Sequence, residues 1–233
     1  LKIKGLLSVF FIAFSLSLFA QEQEKIRVLL VPFERFDFQS PFSFSDIANY
    51  NNFSSQAEVF PKYQAAVVQQ LSAQHPQVEV YTLPEPDIQQ IRIQSPKVYK
   101  YQPIDHQGID LSRLVEQGRL AQLLESFAAD YIVFLTWYEI SAKLLSTKSS
   151  FQGSKLLAWS VHKITYEAYN GKGELVALVD KMPLEPKLPK EQFAHTKGTM
   201  LSDIQDAYLK VQDDLSKKLM LYQRKKRPIY KIK

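Results

Sequence analysis

A single α/β domain with a tendency toward α+β is the fold class that three features of the sequence predict. An apolar run without alternation, IRVLLV at 26–31, suits a strand covered on both faces. Stretches with helical spacing separate the early β-rich segments, which requires parallel pairing. Later, NGKG at 170–173 lies between two β-rich runs and signals an antiparallel hairpin. The expected order is β-α-β-α-β-β-β-α, one mixed sheet packed by helices.

Ahead of the first strand, Lys2 and Lys4 precede an uncharged run from Leu6 to Phe19 and the small residue Ala20. A run of this length fits a secretory leader, whose apolar core holds about 7–15 residues, and is short of the ~20 that span a bilayer. The expected division is a leader at 1–20, a domain at 21–223 carrying an insertion at 84–110, and a basic tail at 224–233. The working chain then begins at Gln21, in the periplasm or outside the cell. Cysteine is absent, which excludes a lipidated amino-terminal Cys, disulfides and thiolate metal sites; the fold must rely on its core.

The formal charge of +5 is unevenly placed. Of 29 basic residues, two fall in the leader and six in 224–233, leaving 21 against 24 acidic residues in the body. The tail RKKRPIYKIK is therefore the basic element, and Pro228 bars helix continuation there. It is expected to be exposed and to add little stability. Arg224, Lys225, Lys226 and Arg227 are its candidate contacts to anionic lipid, worth about 1 kcal/mol per basic residue near such a surface. Nucleic acid is not an expected partner for an exported chain.

After the first strand, six phenylalanines and Tyr50 occur within 33–53 without helical period, and Phe36 and Phe38 could continue the strand by alternation. Exposed, these rings would form a patch able to bind a partner; folded back, they would cover the core, which is the expectation, because so many exposed rings promote aggregation. Phe60, Tyr63, Val67, Val68 and Leu71 then form one helical stripe, with Pro61 suited to its first turn. VEVYTL at 78–83 reads as a strand, and 84–110 as a Pro-punctuated irregular insertion with room for a small hairpin.

Asp110 or Ser112 can cap the next helix, whose apolar positions include Leu114, Leu120, Leu123, Leu124 and Phe127. YIVFLTWYEI at 131–140 is the most strand-like segment. The alternation of 157–169 changes frame near Lys163, which predicts a bulge, and Pro183, Pro186 and Pro189 mark a loop. In the last helix, Ser202 and Gln205 match a capping box. Ile204, Tyr208, Val211, Leu215, Leu219 and Tyr222 form its buried seam.

Chemistry is sparse. His75, His106, His162 and His195 make no metal-ligand spacing, and His162 is expected to be a packed or surface strand residue. Neither a phosphate loop nor a nucleophile elbow occurs, so no catalytic residue, cofactor or metal is expected. The adjacent Asp213 and Asp214 point in different directions on their helix. Candidate contacts are Phe36, Phe38, Phe42 and Phe44 of the aromatic segment and Tyr99 and Tyr101 of KVYKY. Trp137 and Glu139 join them at an expected strand end, where α/β sheets bind ligands.

IRVLLVPF, AADYIVFLTWYEI, the runs around NGKG and the closing AYLKVQDDLSKKL together resemble the α/β domain shared by the TolB amino-terminal domain, CsgG and LpoB. The resemblance covers most of the chain after the leader. It implies helices on both sides of a mixed sheet and a protein-binding or assembly role in the envelope rather than catalysis. The lipobox cysteine and the propeller are not found here. The expected function is thus a non-enzymatic envelope adaptor that binds another protein through a sheet edge or exposed loops; the alternative is a small-ligand binder or hydrolase with its site near Glu139 and Trp137.

Overall fold

The computed structural model describes residues 25–40, 42–73, 75–99, 106–149, 153–185 and 201–226. The expected leader, Tyr101, Arg227 and the Pro186–Pro189 loop lie outside the described residues.

The apolar run forms strand β1 (Ile26–Val31), which sits inside the sheet with nearly every side chain buried. Strand β2 (Phe36–Gln39) follows, then helices α1 (Phe44–Tyr50) and α2 (Val59–Leu71), and strand β3 (Val78–Thr82). Helix α3 (Glu85–Gln94) and a hairpin of β4 (Pro96–Tyr99) with β5 (His106–Ile109) lead to helices α4 (Leu111–Glu116) and α5 (Arg119–Ser126). Two long strands, β6 (Tyr131–Ser149) and β7 (Gly153–Asn170), are followed by β8 (Leu175–Leu184), α6 (Leu201–Gln205), a 3-10 turn and α7 (Leu209–Lys226).

One mixed sheet runs β3-β1-β6-β7-β8. β3, β1 and β6 are parallel, and β6, β7 and β8 antiparallel. β2 pairs with β6 farther along the border that β1 uses, Phe36 opposite Tyr138. α1, α2 and α7 cover one face around Val28, Leu30, Val133 and Tyr166; α3, α4 and α5 cover the other around Leu29, Val31, Ile132 and Phe134. The α/β class and the mixed sheet are as the sequence predicts.

Several elements differ from the expectation. The insertion at 84–110 is largely regular: α3 anchors through Ile88 and Ile91, and the Asp110 N–H closes the base of the hairpin by donating to the Ser95 carbonyl at 2.8 Å. α1 breaks the aromatic segment with a capping box between Ser43 and Asp46. α2 begins at Val59, ahead of Pro61. The helix expected after Asp110 is two helices, because Gly118 takes φ +65° between them; Asp110 rather than Ser112 is the cap, accepting from the Arg113 N–H. Ser202 is inside α6, already helical at Leu201, so it is not the cap, although Ile204 to Leu219 form the buried seam as predicted. α7 continues through Lys226, so the first three tail residues are helical. Lys226 donates to Glu174 at 2.6 Å, and with Tyr222 and Asn170 it holds that carboxyl down to about 2.

The β7–β8 connection corrects the expected primed turn. Gly173, not Gly171, has positive φ (+73°); the Gly173 N–H donates to the Asn170 carbonyl, and the Asn170 side chain accepts from the Lys172 and Glu174 N–H groups. An ordinary turn closed by one left-handed residue fills the longer loop. A Cβ at Gly173 would meet Val115 Cγ1 at 2.8 Å, whereas one at Gly171 would meet only Leu124 Cδ1 at 3.9 Å. Gly173→Ala is therefore expected to cost about 1–3 kcal/mol, and Gly171→Ala to stay close to wild type; paired urea titrations compare them, and equal costs would place the strain elsewhere.

Candidate functional site

The site is built where the sheet loses its regular alternation. Opposite Thr165, both neighbouring strands carry an extra residue. Leu135 pairs with Tyr166 and Trp137 with Thr165, so Thr136 is extra in β6; Ile164 pairs with Met182 and Tyr166 with Val179, so β8 gains a residue around Lys181, which has φ +51°. The sequence predicts a bulge within β7 near Lys163; the extra residues lie instead in the neighbouring strands β6 and β8. The one in β6 explains how YIVFLTWYEI buries Tyr131, Val133 and Leu135 and then Tyr138 and Ile140 on the same face.

The frame change sends Trp137 and Glu139 to the opposite face. Trp137 is 9% exposed and lies between two cations, with the Arg35 guanidinium carbon 4.9 Å and Lys181 Nζ 4.0 Å from its ring. Arg35 also pairs with Asp37 at 2.8 Å. Glu139 is 2% exposed and accepts from Lys163 Nζ at 2.6 Å. It is not at a strand end: β6 continues to Ser149, and Glu139 is flanked by Asp37 of β2 and Lys163 of β7. The Ser/Lys-rich composition after Ile140 concealed that continuation.

Beside Trp137 is a cavity of about 290 Å3. Thr136, Trp137, Thr165 and Glu167 form its sheet wall; Lys97, Ile109 and Ser112 come from the hairpin and α4; Glu34 and Arg35 come from the segment after β1. Glu34 Oε2 accepts the Ile109 N–H at 2.7 Å, and burial raises the Glu34 carboxyl above its ordinary range. Glu34 Oε1 and Trp137 Nε1 are buried without a hydrogen-bond partner among the described residues. Of the expected site residues, Trp137 reaches this cavity and Glu139 does not line it. Glu34 and Glu167 have no signal in the sequence, and Lys97 stands out only as part of KVYKY, because no spacing relates residues that meet only through the fold.

The aromatic candidates are half-buried against the core. Phe36 lies 4.7 Å from Phe60 between ring centroids, and Phe38 stacks on Phe44 at 4.0 Å; Phe42 packs against the same cluster. Tyr99 is placed in β4 opposite His106. Arg224 and Lys225 are exposed on the last turn of α7.

On the α2–α7 face, beneath the aromatic cluster, the Tyr138 hydroxyl is 2.5 Å from His162 Nδ1 and 2.8 Å from the Tyr208 hydroxyl. Tyr63 packs on the imidazole at 4.8 Å. Burial lowers His162 to about 3 and raises both tyrosines, so the cluster is neutral at physiological pH. Asp214 is likewise engaged, by Tyr166 at 2.6 Å and Lys218 at 2.8 Å. Among the described residues, no helix is long and apolar enough to cross a membrane.

No protein-family model matches the sequence, and no curated protein does. Several solved structures align with the chain, among them the following three. The hypothetical protein CT253 from Chlamydia trachomatis aligns at 8% identity and TM-score 0.37, over 85% of this chain and 99% of that one. A neuraminyllactose-binding hemagglutinin homolog from Helicobacter pylori aligns at 11% identity and TM-score 0.42, over 88% and 93%. Lipoprotein GNA1162 from Neisseria meningitidis aligns at 10% identity and TM-score 0.22, over 68% and 81%.

Proposed function

We propose that the chain is a non-enzymatic envelope protein that binds a partner protein by accepting a strand on the open edge of the β6–β7 ribbon. The observation that carries this reading is the length of the two strands. β2 pairs with β6 only as far as Ser141, and β8 pairs with β7 only from His162. Among the described residues, 142–149 and 153–160 therefore pair only with each other. At about 3.3 Å per residue the ribbon reaches roughly 25 Å past the sheet, and among the described residues no strand lies along either of its outer edges, where another strand can add.

Lys143, Lys148 and Lys155 lie along the ribbon, and no acidic residue occurs from Ile140 to His162. Such lysines oppose pairing between identical ribbons and favour an acidic strand. The leader expected at 1–20 supports an envelope location, and the pairing of Glu139 with Lys163 supports binding over catalysis. Arg224 and Lys225 would add electrostatic contact with anionic lipid, which binding to anionic vesicles at low salt would measure.

Replacing 145–157 with a two-residue Asn-Gly turn keeps Leu144 opposite Ala158 and shortens the ribbon without touching the sheet. In crosslinking from native envelopes, the intact chain is expected to capture a partner that the shortened chain loses, with the melting temperature nearly unchanged. Capture of the same partner by both forms would overturn the reading.

A further inference from the structure

We infer that the cavity beside Trp137 is a binding site for a small zwitterion of the size of a single α-amino acid. This goes beyond the ribbon proposal and does not depend on it. The first argument is position. β1 has β3 on one side and β6 on the other; the chain reaches β3 by way of α2 on one face and returns to β6 by way of α3, α4 and α5 on the other. Connections that diverge in this way leave a crevice outside the carboxyl ends of the strands, the usual ligand position in open α/β sheets. Glu34 and Arg35 follow the end of β1, and Thr136 and Trp137 follow the part of β6 that pairs with β1. The bulges opposite Thr165 disrupt the regular ladder at the same level.

The second argument is unmet hydrogen bonding. One buried donor, Trp137 Nε1, and one buried acceptor, Glu34 Oε1, belong to residues that line this cavity, and neither has a hydrogen-bond partner among the described residues. Glu34 Oε1 is ion-paired with Arg92 Nε at 3.8 Å, beyond hydrogen-bond range, and that Nε is itself buried without a hydrogen-bond partner among the described residues. Buried polar atoms are rarely left in this state. A ligand that gives an N–H to Glu34 and accepts from Trp137 satisfies both.

Charge selects the class. Two carboxylates, Glu34 and Glu167, and two cations, Lys97 and the Arg35 that pairs with Asp37, line the cavity. A ligand with an ammonium and a carboxylate matches that balance, with the ammonium at Glu34 and the carboxylate at the Trp137 N–H. Burial has already made the Glu34 charge costly, and an ammonium offsets that cost. The volume, about 290 Å3, falls just below the ~300–1,000 Å3 range of ligand pockets and suits one amino acid rather than a peptide.

The test uses the full chain with Trp159→Phe, which leaves Trp137 as the sole tryptophan. Its fluorescence is titrated with each of the twenty amino acids, with the N-acetyl and amide derivatives of the best responder, and with glucose. Calorimetry then repeats the best case on the wild-type chain. At least one free amino acid is expected to saturate the signal, and blocking either charge to weaken binding at least tenfold. Glu34→Gln keeps an acceptor for the Ile109 N–H, and Trp137→Phe keeps a ring; each is expected to weaken binding at least tenfold in calorimetry. No response to any amino acid, equal binding of blocked and free forms, or saturation by glucose alone would overturn the proposal. If either variant fails to fold, the blocked derivatives decide the matter on the tryptophan-substituted chain.

Discussion

Acidification from pH 7 to pH 4 is expected to cost the fold about 3 kcal/mol through His162 alone. In the unfolded chain this imidazole takes up a proton as pH falls through about 6.5. In the fold it lies under Tyr63 and against Tyr138, and burial delays protonation to about 3. Between those values the unfolded state binds the extra proton, so stability falls with pH across that window and levels off below it. Tyr138 and Tyr208, the hydroxyls nearest the ring, are raised by burial and stay protonated throughout. Urea titrations at pH 7, 5 and 4 should show the slope in the wild type and lose it in His162→Gln; parallel curves would mean that the ring protonates in place.

Lys163→Met is expected to destabilise the chain by about 3 kcal/mol, because it leaves the Glu139 carboxylate buried without its cation. Glu139 is almost wholly buried and Lys163 about one-third exposed, which puts the cost at the low end for a broken buried pair. Glu139→Gln should cost less, and combining the two substitutions should recover much of the loss. A double-mutant cycle by urea denaturation measures the coupling; additive costs would reduce the pair to an ordinary surface contact.

The parts legible in the sequence were those set by local pattern. β1, the α2 stripe and the α7 seam appear as runs or periods of apolar residues; the slipped alternation near Lys163 marks the level of the bulges, but their extra residues belong to β6 and β8. α3 was missed because only Ile88 and Ile91 anchor it and prolines flank it. The length of β6 and β7 was missed because beyond Ser141 the two strands pair only with each other, through a Ser/Lys-rich stretch without a clear apolar alternation. The positive φ was assigned to Asn-Gly, but the close approach of Val115 lies 58 residues from Gly173 in sequence. The cavity had no local signature, since Glu34, Lys97 and Trp137 come from segments joined only by folding.

The placement of β1 inside the sheet sets a schedule for synthesis. Arg27 and Asp130, bonded neighbours where β1 meets β6, are separated by 103 residues. At ribosomal rates of about 5–20 residues per second, β1 and the phenylalanines behind it wait roughly 5–20 s for the strand that completes their border. For that interval the most apolar strand of the nascent chain can gain β3 on one border but has its other border open, so its yield depends on protection of that border before β6 arrives.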